Sequence, residues 1–447
     1  MTTPICDFVR KYAAQNSLRL HMPGHKGTAF LGFEHMDVTE IDGADSLYEA
    51  DGIIAESEAN ASALFGCDTF YSAEGSSQCI RAMLYLACMS GEKKEKPLVL
   101  AARNAHKTFL SAAALLDIDI GWLYGENRGA YLSCDVTTQY LERAIVTSDR
   151  KPAAVYITSP DYLGNIADIK SLAEVCHRHG VLLLVDNAHG AYLRFLSQTQ
   201  HPIDLGADVC CDSAHKTLPV LTGGAYLHIS PRVSEKLSHM AKNALAMFGS
   251  TSPSYIIMQS LDMANKYVAD GYGNRLEVCC KRVENLKKVL REKGFILSGC
   301  EPLKVTIAAK NYGYTGKELA DILFEKNIVC EFSDPDFTVF MFTPEISDEQ
   351  FIYLEEVICN IPRKETIKSV PPEFCKANKA MSVREAAFSM CEEISATDAV
   401  GRVLAVAAVG CPPAVPIVVC GELIDKNAVE CFEYYGIDSC CVVKQQP

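Results

Sequence analysis

Asp212-Ser213-Ala214-His215-Lys216-Thr217-Leu218-Pro219 follows an apolar run ending in Val209-Cys210-Cys211 and precedes Gly223-Gly224-Ala225-Tyr226-Leu227-His228-Ile229. A lysine between a strand end and a Gly-rich return, flanked by His and Ser, is poorly placed for a solvated surface charge. It reads as a buried amine presented for chemistry. Such an amine forms a Schiff base with pyridoxal 5′-phosphate (PLP) when its environment lowers its pKa.

A second stretch supports this reading. Gly180-Val181-Leu182-Leu183-Leu184-Val185-Asp186-Asn187-Ala188-His189-Gly190 reads as a buried parallel strand that delivers the Asp186 carboxylate at its C-terminal edge. PLP needs a carboxylate beside its pyridinium nitrogen, because the protonated ring is the electron sink for a carbanion at the substrate Cα. The span from Asp186 to Lys216 leaves room for one crossover and one more strand. The plain alternative, Asp186 as a turn or capping residue, weakens once Lys216 stands downstream.

Composition bounds the rest. A chain of 447 residues holds two or three domains with a sizeable core, and 49% hydrophobic content with a single Trp is ordinary for an α/β enzyme. A formal charge of −14 argues against nucleic acid as a partner and fits a cationic ligand. The 20 cysteines are scattered or in adjacent pairs with no C-x-x-C, a spacing that suits neither a zinc site nor a small disulfide scaffold. Reduced thiols in a reducing cytoplasm are the expectation, with no metal. The N-terminus has no basic, then apolar, leader pattern, and the apolar segment from Val403 to Val419 is broken by Pro412, Pro413 and Pro416, so no membrane span is expected.

Taken in order, residues 5–17 suit a short amphipathic helix. Leu18-Arg19-Leu20-His21-Met22-Pro23-Gly24-His25-Lys26-Gly27 then reads either as a surface turn set by Pro-Gly or as an arm reaching an active site, even a neighbour's. After an acidic, turn-rich stretch and a helical pattern to about Phe65, a short strand near Thr69 passes through Gly75-Ser76-Ser77 into a helix whose face is Ile80, Met83, Leu84 and Ala87. Backbone N–H groups and hydroxyls at a helix N-terminus bind anions, which makes Gly75, Ser76 and Ser77 the candidate phosphate cradle, although most such sequences are plain caps. Leu98–Ala102 is a buried strand leading to His106, whose ring can stack on a planar cofactor or simply be a satisfied structural residue. Strands near 153–158 and 225–229 and a helix capped by Asp168 continue the strand–helix alternation, which predicts a mostly parallel sheet with ligands at the C-terminal strand ends. One long helical pattern covers about 254–294. Strands at 303–309, 328–332 and 338–342 with a helix at 316–326 predict a smaller α/β unit. A polar linker over 364–380 leads to a tail with an apolar strand at Ile417–Val419.

His21-Met22-Pro23-Gly24-His25-Lys26, Gly75-Ser76-Ser77, Arg103-Asn104-Ala105-His106-Lys107, Thr158-Ser159-Pro160, Asp186-Asn187-Ala188-His189-Gly190-Ala191 and Ser213-Ala214-His215-Lys216-Thr217-Leu218 resemble, in order, the signatures of the Orn/Lys/Arg decarboxylases. Ser250-Thr251-Ser252-Pro253-Ser254-Tyr255 and the tail segments Arg384-Glu385-Ala386, Ala399-Val400-Gly401-Arg402 and Pro412-Pro413-Ala414-Val415-Pro416 extend the resemblance over nearly the whole chain. It implies the aspartate-aminotransferase-like (fold type I) PLP fold in the short bacterial form without a receiver-like wing domain. The implied domains are an arm over 1–50, a PLP-binding large domain over 51–270 and a smaller C-terminal domain over 271–447, with a tail subdomain at about 381–443.

Carried onto these positions, the resemblance implies Lys216 as the Schiff-base lysine, Asp186 as the partner of the pyridinium nitrogen, His106 stacked on the ring and His189 near its phenolic oxygen. Ser76, Ser77, Ser213 and His215 would hold the phosphate, and Thr251 or Ser252 would reach it in a partner subunit of a homodimer with shared sites, or of a higher oligomer. Glu331 is the candidate carboxylate for the substrate's distal cation, with Ser159, Tyr162 and His21 as further substrate-side candidates. Three departures stand out: Asn187 where the family commonly carries Glu, Cys411 and Ala414 where the tail loop usually carries Tyr and Gly, and Cys420 where Pro is usual. The expected reaction is PLP-dependent decarboxylation of arginine, lysine or ornithine to a polyamine-pathway amine and CO2. The alternatives are another fold-type-I reaction, such as transamination or elimination, and a non-catalytic PLP or amino-acid-binding regulator. An NAD-type enzyme is disfavoured for want of G-x-G-x-x-G after the first strand.

Overall fold

The computed structural model describes residues 1–90, 96–125, 131–410 and 416–445. Cys411 and Ala414, two of the departures, lie outside these residues. The chain divides into a unit of Met1–Lys93 with Cys176–Asn274 and a unit of Lys94–Val175 with Arg275–Pro447.

Seven strands carry the α/β character: β1 (Asp68–Ser72), β2 (Leu98–Ala102), β3 (Asp119–Leu123), β4 (Ala154–Thr158), β5 (Leu182–Asp186), β6 (Val209–Asp212) and β7 (Ala225–Ile229). β2, β6 and β7 are buried at every position, the mark of strands covered on both faces. In the first unit the order is β1-β7-β6-β5, and in the second β4-β2-β3. β2 runs parallel to both its neighbours, and β5 is parallel to β6 with Val185 opposite Cys210 and Asp186 opposite Cys211. The mostly parallel sheet expected from the alternation is therefore present. It turns antiparallel at β6–β7 and β7–β1. The reason is local: residues 213–224 are used up by a one-turn helix, Ala214–Thr217, and the Gly223-Gly224 return, which leaves no crossover helix to bring β7 back parallel.

In the first unit, the helix Gly75–Ser90 buries Ile80, Met83, Leu84 and Ala87, the face read from its spacing. The expected continuous helix over 254–294 is instead two, Tyr255–Ala269 and Tyr272–Glu292. They part at Asp270-Gly271, where Gly271 takes φ +73°, a left-handed conformation that glycine adopts at little cost.

The second unit adds a small sheet ordered Phe332–Ser333, Phe337–Met341, Lys304–Ala308, Leu297–Ser298, with helices Gly316–Phe324 and Asp348–Cys359. Residues 328–331, expected within a strand that presents Glu331, are not strand. They serve the preceding helix: Asn327 is left-handed, the Ile328 N–H bonds the Leu323 carbonyl, and Val329 is 78% exposed. Glu331 precedes its strand rather than following it. The tail strand is Pro416–Val419, paired antiparallel with Ala408–Gly410. Ile417 and Val418 pack in a cluster with Leu132, Phe332, Val339 and Phe432.

A buried ion pair ties the end of β2 to this tail. Arg103 donates from Nη1 to Glu422 Oε1 at 2.9 Å and from Nη2 to Oε2 at 2.7 Å, and Glu422 also accepts from the Val419 N–H. The guanidinium lies against the Trp122 and Tyr124 rings. Glu422→Ala leaves an uncompensated buried cation, so urea unfolding is expected to show a loss of about 3–5 kcal/mol, while the paired replacement Arg103→Met with Glu422→Leu recovers most of it.

Candidate active site

The parallel register of β5 and β6 places Asp186 and Asp212 at neighbouring strand ends, and the segments that follow carry the candidate groups. The one-turn helix after β6 presents Lys216, whose Nζ lies 3.0 Å from His189 Nε2. His189 and Asp186 are both buried, and the Asp186 carboxylate accepts from the Ala188 N–H at 3.2 Å. An amine, an imidazole and a buried carboxylate thus come from two consecutive strand–loop junctions of one unit.

The Gly-Ser-Ser turn lies beside them. Ser213 Oγ donates to Ser76 Oγ at 2.6 Å, which joins the lysine segment to the start of the Gly75–Ser90 helix. Gly75 has φ +73°, and a Cβ there would meet nothing within 4 Å, so glycine is required by backbone conformation and the space beside it is open. Its own N–H is used on the Gly223 carbonyl at 2.7 Å. His215 Nδ1 is 3.1 Å from the Gly224 carbonyl, which fixes its ring. Thr251 and Ser252 are exposed, on a loop held to the same turn by the Ser250 N–H on Glu74.

The remaining candidates have hydrogen-bond partners of their own. His21 bonds Tyr12 within the arm, through Nε2. In the second unit, His106 caps the helix Lys107–Leu116, with Nδ1 accepting from the Thr108 N–H at 3.2 Å. Ser159 Oγ accepts from the Ala167 N–H at 3.0 Å, and Tyr162 donates its hydroxyl to Glu331 Oε1 at 2.9 Å.

Sequence reasoning passed over a buried network under Lys216. Asp212 Oδ1 accepts from Asn187 Nδ2 at 2.7 Å, and Oδ2 accepts from His201 Nε2 and His228 Nε2, each at 3.1 Å. All four residues are fully buried. Burial opposes ionisation of Asp212, but the charges and hydrogen bonds of the two histidines outweigh it and hold the carboxyl well below the usual carboxylate range. Burial lowers His228, whose Nδ1 lies 2.9 Å from the Thr69 hydroxyl. Burial also pushes the Cys210 and Cys211 thiols well up, away from the thiolate form. The alternating pattern of β6 could have shown that Asp212 shares a face with Cys210, but not which side chains meet it.

A family model described as Orn/Lys/Arg decarboxylase, major domain, matches residues 3–308. The chain belongs to this family. As a member it is an amino-acid decarboxylase of the PLP-dependent type. Similar curated proteins include the uncharacterized protein YaaO of Bacillus subtilis (strain 168), 30% identical over 96% of this chain and 93% of that one. An arginine decarboxylase of the same strain is 28% identical over 96% and 92%. Among solved structures, the lysine decarboxylase LdcF of Francisella novicida superposes with a TM-score of 0.79 at 16% identity, covering 99% of this chain and 81% of that one. The constitutive lysine decarboxylase of E. coli gives 0.75 at 18%, covering 99% and 82%. These superpositions show the Orn/Lys/Arg decarboxylase chain to have the fold-type-I architecture. Among the described residues no helix is long and apolar enough to cross a membrane.

Because the Asp212 carboxyl is depressed, its contribution to stability is fully present above the unfolded-state value near about 4 and is lost as pH falls below it. In urea unfolding, the advantage of the native protein over Asp212→Asn is therefore expected to shrink from about pH 5 towards about pH 2.

Proposed function

We propose that this decarboxylase acts on a basic amino acid, arginine, lysine or ornithine, giving the corresponding amine and CO2, with PLP carried on Lys216. Arginine stands first among the three, since the similar curated relatives include several arginine decarboxylases. The observation that carries the reading is the 3.0 Å approach of His189 to the Lys216 amine, three residues after the buried Asp186 carboxylate.

The donor set fits PLP. A buried carboxylate suits a pyridinium nitrogen, the Gly75-Ser76-Ser77 turn with Ser213 suits a phosphate, and the open side of Gly75 leaves room for it. Bound PLP would supply a protonated ring that takes up the electron pair left when CO2 departs. His189 would take up the proton that Lys216 must give up to act as a nucleophile, and the pair would return a proton to the substrate carbon. Asp186, buried and fixed by the Ala188 N–H, would face the ring nitrogen. His106, its ring set by capping, would cover the ring, and His215 would assist at the phosphate.

On the substrate side, Glu331 with its Tyr162 hydrogen bond offers a carboxylate whose orientation is already set for a distal cation. Ser159 and His21 complete the proposed substrate contacts. The proposed layout is an arm over 1–50, a cofactor domain over 51–270 and a smaller domain over 271–447. A homodimer is supported by the arm, where Leu18, Leu20, Phe30 and Leu31 are 84%, 83%, 76% and 77% exposed, and by the exposed Thr251-Ser252 loop. The free thiols suit a reducing cytoplasm.

Incubation of PLP-loaded protein with each amino acid, followed by mass spectrometry, is expected to yield agmatine, cadaverine or putrescine from one of them, and none with Lys216→Ala. No amine from any substrate would remove the basic-amino-acid reading. Glu331→Gln is expected to raise KM by roughly 10- to 100-fold, the weight of one charge-assisted hydrogen bond, with a smaller change in kcat.

A further inference from the structure

We propose that Asn187 and Asp212 form a positioning pair that locks the turn carrying Asp186 and His189 to the segment carrying Lys216. Asn187 sits between the two groups that the proposed function places on either side of the cofactor. Its backbone N–H bonds the Cys211 carbonyl at 3.0 Å, one step beyond the β5–β6 pairing, and its carbonyl accepts from the Gly190 N–H at 2.8 Å, closing the turn that presents His189. Its side-chain amide then reaches Asp212, the last residue of β6 and four positions before Lys216.

Two observations make this a built contact. Gly190 is required by it: a Cβ there would lie 2.0 Å from Asn187 Oδ1, so the turn leaves room for this amide and no side chain beside it. Asn187 Oδ1 is also buried without a hydrogen-bond partner, a cost borne for directing Nδ2 at Asp212. Asp212 is held in turn by His201 and His228, so the amide meets a carboxylate already fixed by two imidazoles. The titratable groups packed around Asp212 are His201, His228, Cys67, Cys79, Cys210, Cys211 and Tyr226.

The pairing explains the departure at position 187. A glutamate there, as the family commonly has, would set a second carboxylate against Asp212 in a buried site, and one of the two would have to take up a proton. An amide donates instead and leaves Asp212 charged. Asn187 and Asp212 are positioning residues, acting through Asp186, His189 and Lys216.

The geometry offers a reciprocal test. In Asn187→Asp with Asp212→Asn, the amide and carboxylate exchange places: the new amide donates to the new carboxylate, and the oxygen facing His201 and His228 still accepts from both. Each single change breaks the pair, by facing two carboxylates or two amides. The readouts are the dissociation constant for PLP, the pH midpoint of the bound cofactor's visible absorption band, and the thermal midpoint of the cofactor-free protein.

Each single variant is expected to bind PLP about ten-fold more weakly and to shift the band's midpoint, as loss of one buried hydrogen bond to a charged group implies, while the double variant returns both readouts most of the way. If a single variant fails to fold, recovery in the double variant reads the same coupling. Single variants indistinguishable from the native protein, or a double variant no better than the worse single, overturn the inference. The inference rests on PLP being carried by Lys216: native protein that shows no visible band with PLP overturns that reading as well, whereas a normal native band with uncoupled variants overturns the positioning pair alone.

Discussion

The parallel pairing of β5 with β6 is the constraint on which the candidate site depends. Parallel strands end on the same edge, so a register that sets Asp186 opposite Cys211 delivers two loops at one level, one with His189 and one with Lys216. Their placement is inherited from strands whose inner positions, Leu183 to Val185 and Val209 to Cys211, are removed from water. A one-residue slip would turn every side chain to the opposite face and separate the amine from the imidazole.

Buried charge is the second organising feature, and each unit handles it by saturating the charged group. Asp212 accepts from one amide and two imidazoles. Glu422 takes both arms of the Arg103 fork and a backbone N–H besides. A carboxylate with most of its lone pairs occupied can remain ionised in a low-dielectric interior, whereas the same group with a partner removed is strongly destabilising. The Asp212 contacts span 11 to 25 residues along the chain and the Arg103–Glu422 pair spans 319, and their hydrogen-bond geometry gives the packing a directionality that apolar contacts lack.

Much of this was legible in the chain. The apolar runs ending in Asp186 and Asp212, the Gly-Ser-Ser turn opening a helix and the Gly-rich return after Lys216 are local patterns, and local patterns follow from backbone sterics and the periodicity of burial. The misreadings have one cause. At Gly271 and at Asn327 a left-handed residue interrupts the helical backbone, and after Asn327 the Ile328 N–H is used on the Leu323 carbonyl, changes of backbone that the spacing of apolar residues does not mark.

By itself, the sequence determined the α/β class, the strand ends at which Lys216 and Asp186 stand and the glycine needed at position 75, since each depends on neighbours a few residues away. Tertiary structure alone decided that His189 meets Lys216, that Glu331 bonds Tyr162 and that Asn187 faces an ionised Asp212 rather than solvent. Those outcomes depend on which strand lies beside which and in what register. The free energy that selects them is summed over the whole buried interior and is carried by no single stretch of residues.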